Sequence, residues 1–150
     1  MKDFDEQRET IIIKSREIVR LSKLIIYALH RGDTKKATEQ VEQIKKDMAV
    51  FETLAKKHPE LFYSGSFKIA TQEYVEAMAY YSFVKENRII SSAELKVEPE
   101  SYLLGLCDLV GELTRKAVNS AANKQYDETI KVRALIEDIY GFFLELDLRN

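Results

Sequence analysis

The feature that most restricts the fold of this chain is its scarcity of turn-forming residues. The 150 residues include five glycines and two prolines. Because these residue types mark most turns and helix breaks, so few of them leave room for few turns. Hydrophobic residues make up 45% and charged residues 32%, which provides an apolar core and a solvated surface. We therefore predict one all-α domain, residues 1–150, formed by an antiparallel bundle of about five to six long helices.

Breaker and capping residues place the expected helix ends. Gly32 is a natural C-terminal breaker, and Asp33 can cap the helix that follows. Pro99 fits the first position of a helix. Ser91 and Ser92, followed by Glu94, favour a short helical turn. The expected helices span about residues 4–31, 33–57, 59–62, 66–87, 99–122 and 124–148.

Cysteine content and charge limit the cell compartment and the partners. The single cysteine, Cys107, cannot form an internal disulfide and suits the reducing cytoplasm, where we expect the protein to be located. Its apolar neighbours Leu106 and Leu109 predict a buried thiol. Residues 1–6 are too polar for a signal peptide, and apolar runs such as Ile11–Ile13 are too short to cross a bilayer, so no membrane partner is expected. With a net charge of −2, the chain is not a general nucleic-acid binder, and any RNA contact must come from local patches or metal ions.

The first helix has two different faces. At about 100° per residue, one face carries an apolar stripe: Ile18, Leu21, Ile25, Ala28 and Leu29. The opposite face carries cations and one aromatic residue: Arg16, Arg20, Lys23, Tyr27, His30 and Arg31. An ordinary solvated face is one interpretation. The other interpretation is a surface that binds the phosphate backbone of RNA, because the face lacks acidic partners four residues onward.

Four carboxylates lie in unusually apolar surroundings. Glu73 and Glu76 are three residues apart, and Asp108 and Glu112 are four apart, so each pair shares a helix face. Burying ionised carboxylates is costly, and mutual repulsion raises the cost. A divalent cation would remove this cost if the two pairs converge. We therefore predict a catalytic metal site for Mg²⁺, with Mn²⁺ as a substitute.

Simpler interpretations of the carboxylates stay open at this point. A Glu-x-x-Glu pair is common on solvated helix faces, and the other pair could consist of hydrogen-bonded polar groups in the core. Gly105 and Gly111, in the second segment, indicate tight helix packing or room for a ligand. Tyr74, Tyr80 and Tyr81 could stack on bases, but core aromatics are the simpler interpretation.

The same segments carry a family resemblance. QEYVEA at 72–77 and YLLGLCDLVGELTR at 102–115, followed by VNS at 118–120, resemble the Trax branch of the translin family. The first helix adds SREI at 15–18, SK at 22–23 and LHR at 29–31. The ending, IYGFF at 139–143 through LRN at 148–150, is also similar to the family. The resemblance covers nearly the whole chain.

The resemblance implies an all-α translin-like fold, assembly into a hollow homo-oligomer, typically an octamer, and an Mg²⁺-dependent endoribonuclease acting on single-stranded RNA. Single-stranded DNA and a translin-like partner subunit are further implied partners. By position, Glu73, Glu76 and Asp108 match the family's catalytic acids, and Glu112 matches a further acid beside them. The family usually continues with a C-terminal helix beyond Asn150, so the predicted domain lacks that helix.

Two function classes compete with a nuclease. One is a non-catalytic, translin-like scaffold that binds RNA or single-stranded DNA, and the other is a helical interaction module without an active site. A di-iron bundle needs Glu-x-x-His pairs. His30 and His58 instead follow Tyr27 and Ala55 at that spacing, which excludes this class.

Overall fold

The computed structural model describes residues 2–62 and 65–149, and every regular element within them is a helix. The helices are α1 (Lys2–His30), α2 (Thr34–Lys57), α3 (Pro59–Phe62), α4 (Gly65–Glu86), α5 (Ser92–Leu95), α6 (Pro99–Ala122) and α7 (Tyr126–Arg149). The all-α prediction is confirmed, and the helix ends lie within about two residues of those expected. One difference is Gly65, which begins α4 instead of preceding it.

The turn between α1 and α2 follows from two adjacent residues. Gly32 has a φ of +74°, which costs glycine little because it has no Cβ. The Gly32 and Asp33 amides donate to the Leu29 and Ala28 carbonyls, which closes the end of α1 in a Schellman motif. The Asp33 carboxylate then accepts the Lys36 amide at 3.1 Å and caps α2. The predicted breaker and cap are thus confirmed.

Side-chain hydrogen bonds hold the connection from α4 to α6. The buried Ser82 hydroxyl lies 2.9 Å from the Arg88 carbonyl oxygen and accepts the Ile90 amide at 3.1 Å. The Tyr102 hydroxyl donates to the Ile90 carbonyl at 2.8 Å. Ser91 caps α5 by accepting the Glu94 amide. Because these bonds tie the loop to both α4 and α6, they fix the start of α6.

The chain divides into two compact units, Met1–Gly105 and Leu106–Asn150. In the first unit, α4 packs on α1, α2 and the first turns of α6, and it is buried on most sides. The predicted apolar stripe of α1 is buried in this unit, with Ile18 and Ile25 at 0% exposure. Tyr74 and Tyr80 also belong to this core, as expected for core aromatics.

The second unit consists of α6 from Leu106 onward together with the whole of α7. Its buried side chains repeat at helical spacing: Leu106, Leu109, Leu113, Val132, Leu135 and Ile139. Lys116 of α6 forms a 3.1 Å ion pair with Glu128 of α7. Cys107 is exposed, so the predicted buried thiol is wrong, because it lies off the stripe that its leucine neighbours form. Within the described residues, no helix is both long and apolar enough to cross a membrane.

Candidate nucleic-acid and metal site

The predicted cationic face of α1 is exposed in the structure. Its five basic residues all lie on the surface of the first unit: Arg16, Arg20, Lys23, His30 and Arg31. Arg31 lies over the Tyr27 ring, 5.3 Å from its centroid, so aromatic and cationic groups on this face are in contact. Arginine beside an aromatic ring is suited to both phosphates and bases.

The face has no acidic residue four positions onward, as expected, but Arg20 has an acidic partner three positions before it. The Arg20 guanidinium forms two hydrogen bonds to the Glu17 carboxylate, at 2.6 and 3.2 Å. The pair lowers the pKa of the Glu17 carboxyl through these hydrogen bonds. The sequence argument considered partners four residues onward, whereas this partner lies three residues before the arginine. Any phosphate that binds Arg20 must compete with Glu17.

His30 is joined to the core by a contact that the sequence did not reveal. The Tyr80 hydroxyl lies 3.1 Å from His30 Nδ1, and the rings meet edge to face with centroids 5.3 Å apart. Tyr80 is fully buried in α4, so the contact orients an imidazole at the end of the cationic face. Only the tertiary packing of α4 on α1 brings these residues together, fifty positions apart.

The carboxylates of α4 lie on the helix face that packs towards α1. Ser66 and Ile69 line a cleft with α1 at one end of this face, and Tyr80 contacts His30 at the other end. Glu73 and Glu76 fall between them at alternating spacings of four and three, which keeps them on the same face. Glu76 is 7% exposed and Glu73 is partly buried, so this half of the prediction, acids in apolar surroundings, agrees with the structure.

The residues of α1 that contact this face of α4 occur in the same order along the chain as their α4 partners. Arg16 lies in the cleft with Ile69, and His30 contacts Tyr80, so the two helices run in the same direction along this interface. Lys23 lies between Arg16 and His30 on the same face of α1. The order of the contacts therefore places the Glu73 and Glu76 stretch of α4 beside the Lys23 stretch of α1, next to an exposed cationic surface.

The second carboxylate pair lies on α6 in the second unit. Asp108 is exposed and Glu112 is partly buried, so Asp108 does not have the buried environment that its apolar neighbours suggested. Partial desolvation still raises the pKa of the Asp108 carboxyl. Among the side chains that the structure describes, no group of three or more His, Cys, Asp and Glu residues is placed to hold a metal ion. The convergence of the two pairs stays a prediction.

A second cleft in the first unit was not anticipated from the sequence. It has a volume of about 200 Å³ and is bordered by α2, α4 and the segment after α5. Burial raises the pKa of Glu52 on its wall, although Lys56 and Lys96 act in the opposite direction. Burial, with a contribution from Glu52, raises the pKa of the neighbouring Tyr74 to about 12. Partly buried acids are thus not confined to the predicted positions.

Comparison with known proteins places the chain among related sequences. The family model for translin matches residues 6–150. An uncharacterized protein of Methanocaldococcus jannaschii is 34% identical over 95% of this chain and 64% of its own length. Translin-associated protein X of Pongo abelii is 28% identical over 92% of this chain and 61% of its own length. The chain thus spans slightly less than two thirds of the length of these relatives.

Solved structures share the fold. The crystal structure of apo-NeC3PO matches with a TM-score of 0.89 at 32% identity, covering 99% of this chain and 79% of that one. The complex of AfC3PO with duplex RNA matches with a TM-score of 0.86 at 24% identity, covering 97% of this chain and 75% of that one. The second match concerns the fold alone.

Proposed function

Because the chain belongs to the translin family, we propose that it is a subunit of an Mg²⁺-dependent endoribonuclease that cleaves single-stranded RNA. The observation that carries this proposal is the position of Glu76. Glu76 is buried, and its helical spacing from Ile69 and Tyr80, which contact α1, assigns it to the α4 face that packs towards the cationic helix. Acids that can hold a divalent ion, next to cations that can hold phosphates, are what phosphodiester cleavage requires.

The donor set fits Mg²⁺. This ion keeps several waters and is usually bound by one or two carboxylates together with substrate phosphates, so it does not require a complete protein cage. Glu73 and Glu76, on one helix face, supply two such oxygen ligands, and Asp108 and Glu112 are the proposed further acids. Mn²⁺ prefers the same ligands and can replace Mg²⁺. When bound, the ion supplies an activated water and neutralises the charge that develops on the phosphate.

The chain's own cations position the RNA. Arg16, Lys23, His30 and Arg31 present positive charge along one face of α1, and Arg20 joins them when a phosphate displaces Glu17. Because the overall charge is −2, this face must attract RNA locally, and the attraction should weaken with salt. A flexible single strand can bend a phosphodiester towards Glu73 and Glu76, whereas a stiff duplex cannot. Single-stranded DNA has the same anionic phosphodiester linkages and is a second proposed ligand.

Assembly into a homo-oligomer, in the family's manner an octamer, is part of the proposal. The second unit exposes large apolar side chains that a lone subunit would leave in water, including Val118, Ile130 and Tyr140 at 63%, 66% and 64% exposure. Such surfaces commonly mark protein interfaces. A translin-like partner subunit could cover the same surface. Light scattering of the purified chain, with and without such a subunit, would determine the assembly.

The decisive experiment compares variants in a cleavage assay with labelled single-stranded RNA, in Mg²⁺ and in EDTA. Glu76→Gln and Asp108→Asn keep the side-chain shape but remove the charge. Each should lower the cleavage rate by about a hundredfold or more, since even outer-shell changes at metal sites cost 10–100-fold. Glu39→Gln changes an exposed glutamate on α2 and serves as the control, with cleavage unchanged. Cleavage that persists in both variants and in EDTA would exclude the proposed site.

The alternative function is a non-catalytic subunit that binds RNA without cutting it. The exposure of Asp108 favours this alternative, because a catalytic acid normally lies in a water-excluded pocket. RNA binding that is equally tight with Mg²⁺ and with EDTA, without any product, would establish it. A duplex RNA of the same sequence belongs in both assays, because the structural neighbour AfC3PO was solved with duplex RNA.

A further inference from the structure

A cleft lies between the first half of α1 and the start of α4, and Arg16 is its one residue that the proposed function already uses. It is an open cleft of about 270 Å³ in the first unit. Its lining consists of three aliphatic side chains, two hydroxyls and one cation: Ile12, Val19, Ile69, Ser15, Ser66 and Arg16. Ile69 is 55% exposed, so the apolar wall is open to solvent.

The chemistry of the cleft matches a nucleotide better than an apolar side chain. A nucleotide carries a flat base, with apolar faces and polar edges, and an anionic phosphate one sugar away. The aliphatic walls can cover the faces of a base, while Arg16, which opens on the cationic face of α1, can contact the phosphate. The Ser15 hydroxyl donates to the Ile11 carbonyl at 2.7 Å, which leaves its oxygen able to accept a base N–H.

We infer that this cleft is a nucleobase-binding subsite for a single-stranded nucleic acid, an inference that rests on the proposed function of RNA binding. Glu73 follows Ile69 by four residues on the same face of α4, about 6 Å further along the helix axis. A base held against Ile69 therefore places a neighbouring phosphodiester one helical turn away, towards Glu73 and Glu76. The cleft would thus select which phosphodiester faces the acids.

A binding experiment in EDTA separates the base from the phosphates, because EDTA prevents metal-dependent cleavage. Fluorescence anisotropy is measured with a short labelled single-stranded RNA and with an abasic strand of the same length and phosphate number. Ile69→Ala should weaken binding of the base-containing RNA by about fivefold, since it removes roughly 1 kcal/mol of apolar contact. Binding of the abasic strand should not change. Because Ile69 is half-exposed, the alanine opens no core cavity.

Two further variants complete the design. Ile13→Ala is the matched control, because Ile13 is also 55% exposed but lies outside the cleft on α1. It should leave both affinities unchanged. Arg16→Gln should weaken binding of both strands by a similar factor, because it removes a phosphate contact that the strands share. Selective loss with Ile69→Ala, and equal loss with Arg16→Gln, would support the subsite.

The other outcomes overturn the inference in distinguishable ways. If Ile69→Ala weakens both strands equally, or neither, the cleft holds no base, although the proposed RNA binding stands. If the wild-type chain binds neither strand, the RNA-binding proposal fails and the subsite fails with it. If Ile69→Ala instead changes the oligomer mass in light scattering, without a base-dependent effect on binding, the cleft holds a side chain of another subunit.

Discussion

Replacing Gly105 by alanine should overpack the contact between α4 and α6, although alanine favours the helical backbone. A Cβ built on Gly105 would lie 2.6 Å from both Cβ and Cγ1 of Val75 and 2.9 Å from the Gln72 carbonyl oxygen. Val75 is fully buried and β-branched, so its side chain has little freedom to move, and the carbonyl belongs to the backbone of α4. The substitution therefore requires α4 and the first turns of α6 to separate.

Gly111, on the same helix, supplies the reference for the size of the effect. A Cβ at Gly111 meets nothing within 4 Å. Replacing glycine by alanine in a helix interior stabilises by about 1 kcal/mol, and this gain applies to both positions. Overpacking costs about 1–3 kcal/mol and applies to Gly105 alone. The two variants should therefore differ by about 1–3 kcal/mol, with Gly111→Ala the more stable, because the helix contribution cancels in the difference.

Urea unfolding followed by far-UV circular dichroism measures this difference. The urea midpoint of Gly111→Ala should be higher than that of wild type, and the midpoint of Gly105→Ala should be lower than that of Gly111→Ala. The slope of the unfolding free energy against urea concentration should be the same for both variants. An unchanged slope is required, because a changed one would report a different extent of unfolding. Equal midpoints for the two variants would refute the close approach of α4 and α6 at Gly105.

Three further predictions test the connections and the buried acids. Ser82→Ala should lower the free energy of unfolding in urea by about 1–3 kcal/mol, because it leaves backbone groups of the following loop unsatisfied. Ser22→Ala is the control and should cost less, because the Ser22 hydroxyl bonds to a carbonyl of its own helix. Asp33→Ala should cost about 1 kcal/mol by loss of the α2 cap, and Asp33→Asn should restore most of it. Burial raises the pKa of the Glu52 carboxyl in the folded protein. The stability that the protonated carboxyl contributes is therefore complete below its pKa in the unfolded chain, and it is lost as the pH rises through its pKa in the folded protein. Glu52→Gln should therefore melt at a higher temperature than wild type at pH 7 and at the same temperature below about pH 4; the same difference at both values would contradict the shift.

Helix ends could be predicted from the sequence because they depend on local chemistry. Gly32 and Asp33 define the α1–α2 turn through a positive φ and a capping carboxylate, and both effects act within a few residues. Pro99 and Ser91 mark the starts of α6 and α5 for the same reason. The apolar stripe of α1 was equally predictable, since helical spacing alone decides which side chains share a face.

Side-chain environments were less predictable, because they depend on packing between helices. Cys107 and Asp108 have leucine neighbours in sequence, yet both are exposed, since helical rotation turns them away from the stripe that buries Leu106 and Leu109. No pattern in the sequence pairs Tyr80 with His30. Contacts of this kind, which carry the geometry of a site, arise only when the helices pack.

Glu76 is a charged residue type that usually lies on the surface, yet the fold buries it. On α4 it occupies a buried position between the fully buried Val75 and Ala77, where a carboxylate has a desolvation cost that an apolar side chain does not have. A buried carboxyl is costly to desolvate, but removing it from a buried interaction also costs stability, because its partner is left unsatisfied. Residues that oppose the stability of their own helix are expected at functional sites. Glu76→Gln keeps the size and hydrogen-bonding capacity of the side chain but removes its charge, so it should lose RNA cleavage while its unfolding midpoint in urea stays close to that of wild type. Loss of stability together with cleavage would instead indicate a purely structural Glu76.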